Sequence, residues 1–386
     1  MNLRLLLILA VVVAGLGGAA YYFGQERKAL QSEAFVGGPL IAGIETRIND
    51  VDHMRLESQE GGVLTFDRTA DGWTIQEQHG YRANPERVTE LLKRVATLTT
   101  VEPKTGKAEN HARLNLDDPA GETALGTRIT LKAGDAVVAD LVVGLNRPEP
   151  QGGGAFVRLW GDDQTWLTDK DFKPKRRTLD LIDRNVVNVD GRRIRLARIQ
   201  HPPTEAGGEG DRFMISKDTP DQETYSLGAT IPEGMQAKED HELSPVARLS
   251  DFLILEAVRP ASEVQMDKPV VGVFETFDGL RLTYRAQEQA DGKTWVEVSA
   301  DAAPRAPGLD DFIAANKDQD SEAGRIAAQF KTPEAVADEI AMWTKKTAGW
   351  AYKLTDYKTD RLTATTADLI AAPKEEKAKA DPQPSQ

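Results

Sequence analysis

A run of nineteen uncharged residues close to the amino terminus limits what this chain can become. Residues 5–23 read LLLILAVVVAGLGGAAYYF. As a helix, this run would be about 28 Å long at about 1.5 Å per residue, close to the roughly 30 Å hydrocarbon core of a bilayer. Tyr21, Tyr22 and Phe23 close the run, as is typical of aromatic residues at a membrane–water boundary. The sequence therefore predicts one transmembrane helix over residues 5–23.

A cleaved signal peptide is the alternative interpretation of the same run. Arg4 places a positive charge ahead of it, and Gly18-Ala19-Ala20 is an acceptable small-residue cleavage site. The run is longer than the apolar region of about 7–15 residues that is usual in signal peptides, which favours a retained anchor. The short head, residues 1–4, is then expected in the cytoplasm and the bulk of the chain on the far side of the membrane. Both interpretations export the chain.

Composition excludes some chemistry and some partners. The chain has no cysteine, so disulfides and thiolate chemistry are excluded, and the absence fits a bacterial exported protein. Its 61 acidic and 48 basic residues give a net charge of −13, which repels nucleic-acid phosphates and anionic lipid headgroups. We expect no nucleic-acid partner, and we expect contact with the membrane through residues 5–23.

The residues beyond the anchor are too numerous for one core and suit two domains. Residues 24–43 are polar and then rich in glycine and proline, which is typical of a linker. Residues 372–386 are rich in lysine, glutamate, alanine and proline, which indicates a disordered tail. Between them we predict a first β-rich domain over residues 44–190 and a second, with C-terminal helices, over residues 191–371.

The first predicted domain combines short strands with one helix. Alternating apolar runs separated by glycine turns indicate a β-meander from about residue 51. Asn84-Pro85 then starts a helix, because Asn suits an N-cap and Pro suits the first helical position. The apolar face of this helix is predicted to consist of Val88, Leu91, Leu92, Val95 and Leu98. Further strands are expected at residues 127–131, 136–143, 155–160 and 165–168.

The second predicted domain repeats this plan about 150–160 residues later, which indicates duplicated domains rather than a solenoid. Ser244-Pro245 matches Asn84-Pro85, and Val258-Arg259-Pro260 matches Val101-Glu102-Pro103. The helix at Ser244-Pro245 is expected to face inward through Val246, Leu249, Phe252 and Leu253. Strands are expected at residues 193–199, 213–215, 224–227, 271–276, 280–285 and 294–298.

The carboxyl-terminal region is predicted to be mainly helical. Residues 309–330 are helix-prone, Thr332-Pro333 starts a clearer helix, and residues 350–354 form a last strand. The predicted fold class is therefore α+β: an N-terminal transmembrane helix followed by two tandem β-rich α+β domains, each a duplicated sheet-plus-helix unit.

Two motif-like stretches lack the residues that their chemistry needs. Gly292-Lys293-Thr294 resembles the end of a phosphate-binding loop, but Gln287 stands where the first glycine belongs and a strand follows. Asn316, Asp318 and Asp320 have the spacing of a calcium loop, but Ser321 and Ala327 replace its glycine and its glutamate. We interpret the first stretch as a hairpin turn and the second as an acidic linker.

The remaining polar residues give no catalytic signature. Asp117-Asp118 and Asp310-Asp311 are adjacent carboxylates, which diverge along a strand or a helix, so turn or cap roles are expected. Asp240-His241-Glu242 reads as a solvated turn. The histidines show no metal-ligand spacing and the tryptophans are expected in the cores. We therefore predict no catalytic, cofactor-binding or metal-binding residue, no cofactor, and a chain that is not an enzyme.

A family resemblance adds context. The anchor together with Gly72-Trp73, Asn84-Pro85, Leu141-Val142-Val143-Gly144, Phe156-Val157-Arg158 and Trp166-Leu167 resembles the bacterial domain of unknown function DUF4340, over residues 44–370. Phe156 stands where that family usually has tyrosine. The resemblance implies an envelope partner of an ABC transport system of the gliding-associated type, in which separate subunits supply permease and ATPase. It carries over no catalytic residue.

These observations lead to one functional expectation and two alternatives. The first is a non-enzymatic accessory subunit, held as a single-pass protein in the bacterial inner membrane with its bulk in the periplasm, that binds ABC permease or ATPase subunits or a cargo. The second is a periplasmic module that binds a lipid or a glycan. The third is an envelope hydrolase with a dispersed carboxylate site, which needs two carboxylates about 5–10 Å apart in a cleft.

Overall fold

A computed structural model describes residues 35–148, 152–204 and 207–373. The predicted anchor at residues 5–23 and most of the predicted tail lie outside these ranges. No helix within these ranges is both long enough and apolar enough to cross a membrane. The described chain is mixed α+β and is dominated by two large antiparallel sheets.

Strands make up most of the regular structure. In chain order the strands are β1 (His53–Ser58), β2 (Gly62–Thr69), β3 (Gly72–Ile75), β4 (Tyr81–Arg82), β5 (Thr100–Pro103), β6 (Thr127–Ala133), β7 (Ala136–Asn146), β8 (Ala155–Leu159), β9 (Thr165–Thr168), β10 (Asn185–Val187), β11 (Ile194–Gln200), β12 (Arg212–Ser216), β13 (Ser226–Gly228), β14 (Gln236–Ala237), β15 (Leu253–Pro260), β16 (Val270–Thr276), β17 (Leu280–Glu288), β18 (Thr294–Ala302), β19 (Trp350–Leu354) and β20 (Ile370–Ala371). The helices are α1 (Ile44–Arg47), α2 (Pro85–Ala96), α3 (Thr178–Leu181), α4 (Asp240–Ala247), α5 (Leu309–Asn316), α6 (Glu322–Ala327), α7 (Pro333–Thr347) and α8 (Asp356–Leu362).

The described chain divides into two compact units. The first contains the described residues up to Glu77 together with Pro85–Leu181. The second contains Gln78–Asn84 and the described residues from Ile182 onward. The short segment Gln78–Asn84, which includes β4, thus belongs to the second unit although it lies within the first in sequence.

The first unit is built on an antiparallel sheet with the strand order β3-β2-β1-β6-β7-β8-β9-β5. Helix α2 begins at Pro85, as predicted, because proline has no N–H to leave unpaired at the first helical position. Of the predicted apolar face, Val88, Leu91 and Val95 are buried, whereas Leu92 is only partly buried and Leu98 is buried beyond the end of the helix. Because α2 lies in the chain between β3 and β5, this connection carries the chain from one edge of the sheet to the other.

The second unit repeats this order strand by strand. Its sheet runs β13-β12-β11-β16-β17-β18-β19-β15, with β10 added beyond β15. Strands β11, β12 and β13 correspond to β1, β2 and β3, and strands β15 to β19 correspond to β5 to β9. Helix α4 takes the place of α2 between the third and fourth corresponding strands. The two units therefore share one topology, in which neighbouring strands are mostly joined by hairpins.

The helix predicted from Ser244-Pro245 is wrong in its bounds. Helix α4 covers Asp240–Ala247, so Asp240 opens the helix instead of lying in a solvated turn, and Pro245 lies inside it. Leu253 starts β15, and Phe252 is 73% exposed rather than inward-facing. The apolar spacing misled the prediction because Leu253 and Leu255 are buried on alternate positions of a strand, with Ile254 turned outward between them.

The linker and the carboxyl-terminal region agree with the sequence interpretation to different degrees. The stretch at residues 309–330, predicted to be helix-prone, contains two short helices, α5 and α6. The described part of the predicted linker, residues 35–43, belongs to the first unit and contacts its other residues. The amide of Thr100 donates to the carbonyl of Gly38 at 2.8 Å, and the ring of Phe35 lies 5.3 Å from that of Trp166. Helix α7 confirms the predicted C-terminal helix, and β19 confirms a strand at residues 350–354, although the short strand β20 and not β19 is the last of the described chain.

Candidate functional site: a charged cleft in the second unit

A cleft of about 610 Å³ opens in the second unit. Its walls come from the connection between β10 and β11, from the turn between α4 and β15, and from the chain around the start of α7. The lining residues are Asn188, Asp190, Arg192, Arg193, Arg248, Asp251, Phe252, Gln329, Lys331 and Glu339.

The floor of the cleft is a buried ion cluster centred on Arg193. Its guanidinium donates to both carboxylate oxygens of Asp278, at 2.9 and 3.1 Å, and to both oxygens of Glu339, at 3.0 and 2.8 Å. The side chains of these three residues are at most 4% exposed. Such paired hydrogen bonds match the planar fork of arginine and fix its geometry. The cluster therefore ties α7 to the beginning of β11 and to the turn after β16.

Lys331, two residues before the start of α7, is the second cation that contacts this cluster. Its ammonium lies 3.0 Å from Glu339, and its backbone amide donates to Asp278 at 2.9 Å. Burial alone would raise the pKa of Glu339, but the hydrogen bonds and positive charges of Arg193 and Lys331 outweigh it and hold this pKa below its usual range. Glu339 is therefore an ionised structural carboxylate at neutral pH and is unsuited to act as a general acid.

One wall of the cleft is the tight turn at residues 190–193. The Asp190 carboxylate accepts from the backbone amide of Arg192 at 2.9 Å and pairs with its guanidinium at 2.6 Å, and these bonds lower the pKa of Asp190. From the other side, the hydroxyl of Tyr225 lies 3.2 Å from the Gly191 carbonyl and 3.0 Å from the Ile194 carbonyl. The turn is thus held from both sides.

Gly191 allows this wall to meet the opposite one. A Cβ at this position would lie 2.5 Å from Cγ of Arg248, so a larger residue would displace that side chain. The amide of Gly191 donates to Asp251 at 2.6 Å, and Asp251 also pairs with Arg248 at 3.0 Å. Asp251 therefore joins the two walls directly.

Phe252 stands at the rim in an unfavourable backbone conformation. Its φ is +47°, in the left-handed region that large side chains rarely adopt, and its side chain is 73% exposed. The turn is held by Asn188, whose side chain accepts from the Phe252 amide at 3.1 Å, and by Lys358, whose ammonium donates to the carbonyls of Leu249 and Asp251 at 2.7 and 2.6 Å. The surrounding contacts thus enforce a conformation that presents an aromatic ring to solvent.

The charged groups that line the cleft are largely paired with one another. Asp190, Asp251 and Glu339 each pair with a cation, so the cleft offers no unpaired carboxylate among its lining residues. The side chains of Arg192 and Arg248 remain 41% and 49% exposed in the cleft that Phe252 also lines. Aromatic and arginine side chains together are typical of the residues that dominate binding energy in protein interfaces. The cleft thus combines one exposed aromatic ring with two arginine side chains that are each paired with a carboxylate of the lining.

The residues singled out in the sequence lie elsewhere. Gly292 and Lys293 form the turn between β17 and β18, as the hairpin interpretation predicts. Asn316 ends α5, and Asp310 lies in the first turn of that helix, 2.6 Å from Arg305. Asp118 accepts the amide of Ala120 at 3.0 Å in a turn. None of them contributes to the cleft lining.

The histidines are likewise separated. Each contacts a different partner: His53 lies 2.8 Å from Asp67, His79 3.6 Å from Glu263, His111 2.9 Å from the Asp163 carbonyl, His201 2.8 Å from the Ala364 carbonyl and His241 3.5 Å from Glu239. Within the described ranges, no group of three or more His, Cys, Asp or Glu side chains is arranged to hold a metal ion.

The tryptophans divide between core and surface. Trp295 and Trp343 are buried, at 1% and 6% exposed, and the other four are partly buried. The expected position in a core is therefore confirmed for Trp295 and Trp343. The ring of Trp160 is covered by the guanidinium of Arg128, which lies 3.8 Å from the ring centre.

Comparison with protein families gives one match, to a domain of unknown function, DUF4340, over residues 73–269, or 197 of the 386 residues of the chain. The chain belongs to the DUF4340 family. No curated protein matches the sequence. The DUF4340 region includes the two walls of the cleft, from Asn188 to Phe252, whereas Lys331 and Glu339 of its floor lie beyond the match.

Sequence reasoning missed the cleft. The Asp190-Gly191 pair is a visible turn signal, and Arg193 stands directly before strand β11, whose sequence IRLARIQ alternates apolar and basic residues. Those two signals could have identified one wall. Nothing in the local sequence marks the distant partners Asp278 and Glu339, which the fold brings to Arg193.

Proposed function

We propose that this DUF4340 protein is a non-enzymatic, membrane-anchored accessory subunit of a bacterial ABC-type transport system, and that it binds a subunit of that system through the cleft of its second unit. One observation carries the choice of surface: Phe252 is held at positive φ with its ring exposed beside two partly exposed arginines. A strained, solvent-exposed aromatic is best understood as a binding residue, because strain of this kind is concentrated at functional sites.

The charge state of the carboxylates favours binding over hydrolysis. Among the described residues, every carboxyl group whose pKa departs from its usual value has a lowered pKa, as at Asp67, Asp190, Glu339 and Asp368. A general acid at neutral pH needs the opposite shift. An envelope hydrolase is therefore a weaker proposal for this chain than a binding protein. A lipid- or glycan-binding module is also a weaker proposal, because it needs an apolar cavity and the lining of this cleft is mainly charged.

The predicted anchor would hold the first unit near the membrane. Residues 24–34 separate the apolar run from Phe35, which packs on Trp166. Eleven residues span at most about 36–40 Å when fully extended, at about 3.3–3.6 Å per residue. An anchored chain would therefore keep the first unit within reach of membrane-embedded subunits.

Affinity capture from detergent-solubilised membranes tests this proposal. We expect the tagged full chain to recover a multi-spanning permease or its ATPase, identified by mass spectrometry. Phe252→Asn should reduce that recovery about tenfold or more, because truncating a central aromatic residue of an interface typically costs at least about 2 kcal/mol.

A matched variant controls for the loss of an exposed apolar side chain. Val137, on β7 of the first unit, is 52% exposed, and Val137→Asn should leave recovery unchanged. Reproducible recovery of neither permease nor ATPase by the unaltered chain would contradict the proposed partnership. Equal recovery by the two variants would reject the cleft as the docking surface.

A further inference from the structure

We infer that the first unit carries a separate binding site for a phosphate group, in a small basic groove between α2 and the segment at residues 171–175. The groove has a volume of about 80 Å³, against the roughly 30 Å³ that one water occupies in the liquid. It is therefore large enough for one tetrahedral oxyanion and too small for a whole lipid. This site is independent of the cleft proposed above.

Local sequence explains how the groove becomes basic in an acidic protein. In this segment, which belongs to no strand, Phe172 and Pro174 are buried, while Lys173 and Lys175 are exposed. Burial therefore alternates along the segment, which packs the apolar residues inward and leaves both lysines exposed.

Helix α2 supplies the opposite wall. Arg87 and Arg94 line the groove from this helix, seven residues apart and so close to the same face. Leu91 lies between them on that face and is 6% exposed, so it belongs to the apolar floor with Phe172, which is 7% exposed. The groove therefore has an apolar floor and cations on both sides.

The acidic groups in the groove are already engaged. Glu90 pairs with Arg87 at 2.9 Å, and Asp171 accepts the backbone amide of Gly154 at 2.7 Å. The lining contains four cations and two carboxylates, a local net charge of +2 in a chain whose net charge is −13.

Three of the four cationic side chains are available to bind a ligand. Among the described residues, the side chains of Arg94, Lys173 and Lys175 have neither an ion-pair nor a hydrogen-bond partner. Lysine and arginine side chains that line one groove are common ligands of phosphate groups. A phosphate in the groove would complete their hydrogen bonds and neutralise the local excess of positive charge.

Two sources could supply this phosphate: an anionic lipid headgroup or a free phosphate. Titration calorimetry on the detergent-solubilised full chain distinguishes them, with inorganic phosphate and water-soluble dihexanoyl phosphatidylglycerol as probes and dihexanoyl phosphatidylcholine as the comparison lipid. Tighter binding of the phosphatidylglycerol than of either other probe would assign the site to lipid headgroups. Binding of inorganic phosphate at least as tight would assign it to free phosphate.

The lysines provide the decisive variant. In either case, Lys173→Gln with Lys175→Gln should weaken the preferred probe about tenfold or more at low salt, since each basic residue contributes substantially to the attraction of anionic headgroups. Both side chains are exposed, so the melting temperature should not change. Raising the ionic strength should weaken binding to the unaltered chain and have less effect on the variant.

A double variant in the second unit controls for the loss of two charges. Lys268 and Lys317 are also exposed and, among described residues, also lack ion-pair partners, so Lys268→Gln with Lys317→Gln should leave binding unchanged. The inference is overturned if no probe binds saturably in the millimolar range. It is equally overturned if the two double variants bind as the unaltered chain does.

Discussion

At the scale of single residues, the second unit places some side chains where stability alone would not. Phe252 adopts φ of +47° and remains 73% exposed, so it has both backbone strain and little burial to offset it. For residues other than glycine, the left-handed conformation costs roughly 1–2 kcal/mol, and Asn tolerates it best among them. The conformation persists because Asn188 and Lys358 hold the turn.

Replacing Phe252 should therefore separate stability from binding. We expect Phe252→Asn to raise the free energy of unfolding by about 0.5–1 kcal/mol, because asparagine relieves the backbone strain. Urea denaturation of the full chain measures the change. Phe252→Leu, which keeps a large apolar side chain at positive φ, should give no such gain. A loss of stability in the asparagine variant greater than that in the leucine variant would show that the ring has a packing role instead.

The sequence could not identify this residue. Val246, Leu249, Phe252 and Leu253 fit one helical face, so an inward orientation is the natural prediction. The distinction depends on Asn188 and Lys358, which are distant in sequence and stop the helix from continuing through the turn. By contrast, Asn84-Pro85 predicted the start of α2 correctly, because capping chemistry is local.

At the scale of elements, helix α7 is fixed to the sheet of the second unit by charge as well as by apolar packing. Val336 and Trp343 are buried on its inner face, and Glu339 between them pairs with Arg193 and Lys331. A buried ion pair adds little net stability when intact, but removal of one partner leaves an uncompensated charge in a dry environment. The cluster should therefore be intolerant of single substitutions.

Glu339→Gln tests how much the buried ion cluster contributes to stability. We expect it to lower the free energy of unfolding by about 3–5 kcal/mol, because Arg193 would keep only one of its two carboxylate partners. The neighbouring Asp338 is exposed on the same helix, and Asp338→Asn should change stability by no more than about 0.5 kcal/mol. Similar effects of the two substitutions, measured by urea denaturation, would argue that the cluster is dispensable.

Most elements were predictable from the sequence, and the failures have a common cause. Alternating runs bounded by glycine turns located the hairpins β6–β7, β8–β9 and β17–β18, since turn chemistry and period-two burial are local properties. Strand β10 is only Asn185–Val187, too short for a period to show, and it pairs with β15 far along the chain. Elements that depend on a distant partner were missed or misjudged.

At the scale of the whole molecule, the same strand order occurs in both units. The correspondence extends to the position of the helix, α2 in the first unit and α4 in the second, between the third and fourth matching strands. The two proposed binding sites, however, are not repeated: residues of the second unit line the charged cleft, and residues of the first unit line the basic groove. One topology thus supports two different surfaces.

The charge pattern also predicts how stability depends on pH. The pKa values of Asp67, Asp190, Glu339 and Asp368 are lowered in the folded chain, so the unfolded chain binds protons more readily. The stability they contribute is fully present above the usual carboxyl range near pH 4 and is lost as the pH falls through the folded values.

Urea denaturation between about pH 3 and 7 measures this dependence, and the free energy of unfolding should fall as the pH is lowered. Glu339→Gln should flatten the decline, because it removes the most deeply buried of the four carboxyl groups. A free energy of unfolding that is constant or rises toward acid would contradict the assignment of these groups as ionised partners.

The route of the chain from one sheet edge to the other has a consequence for biosynthesis. Strand β5 can pair only after β9 has been synthesised, because Thr100 lies opposite Thr168 in the sheet. In the same way, β15 can pair with β19 only late in synthesis, because Leu255 lies opposite Leu354. Such distant pairings slow folding, and an edge strand without its neighbour is a template for aggregation. Each half of a newly made chain therefore passes through a stage with an open flank, which makes chaperone protection most valuable just before the final strand docks.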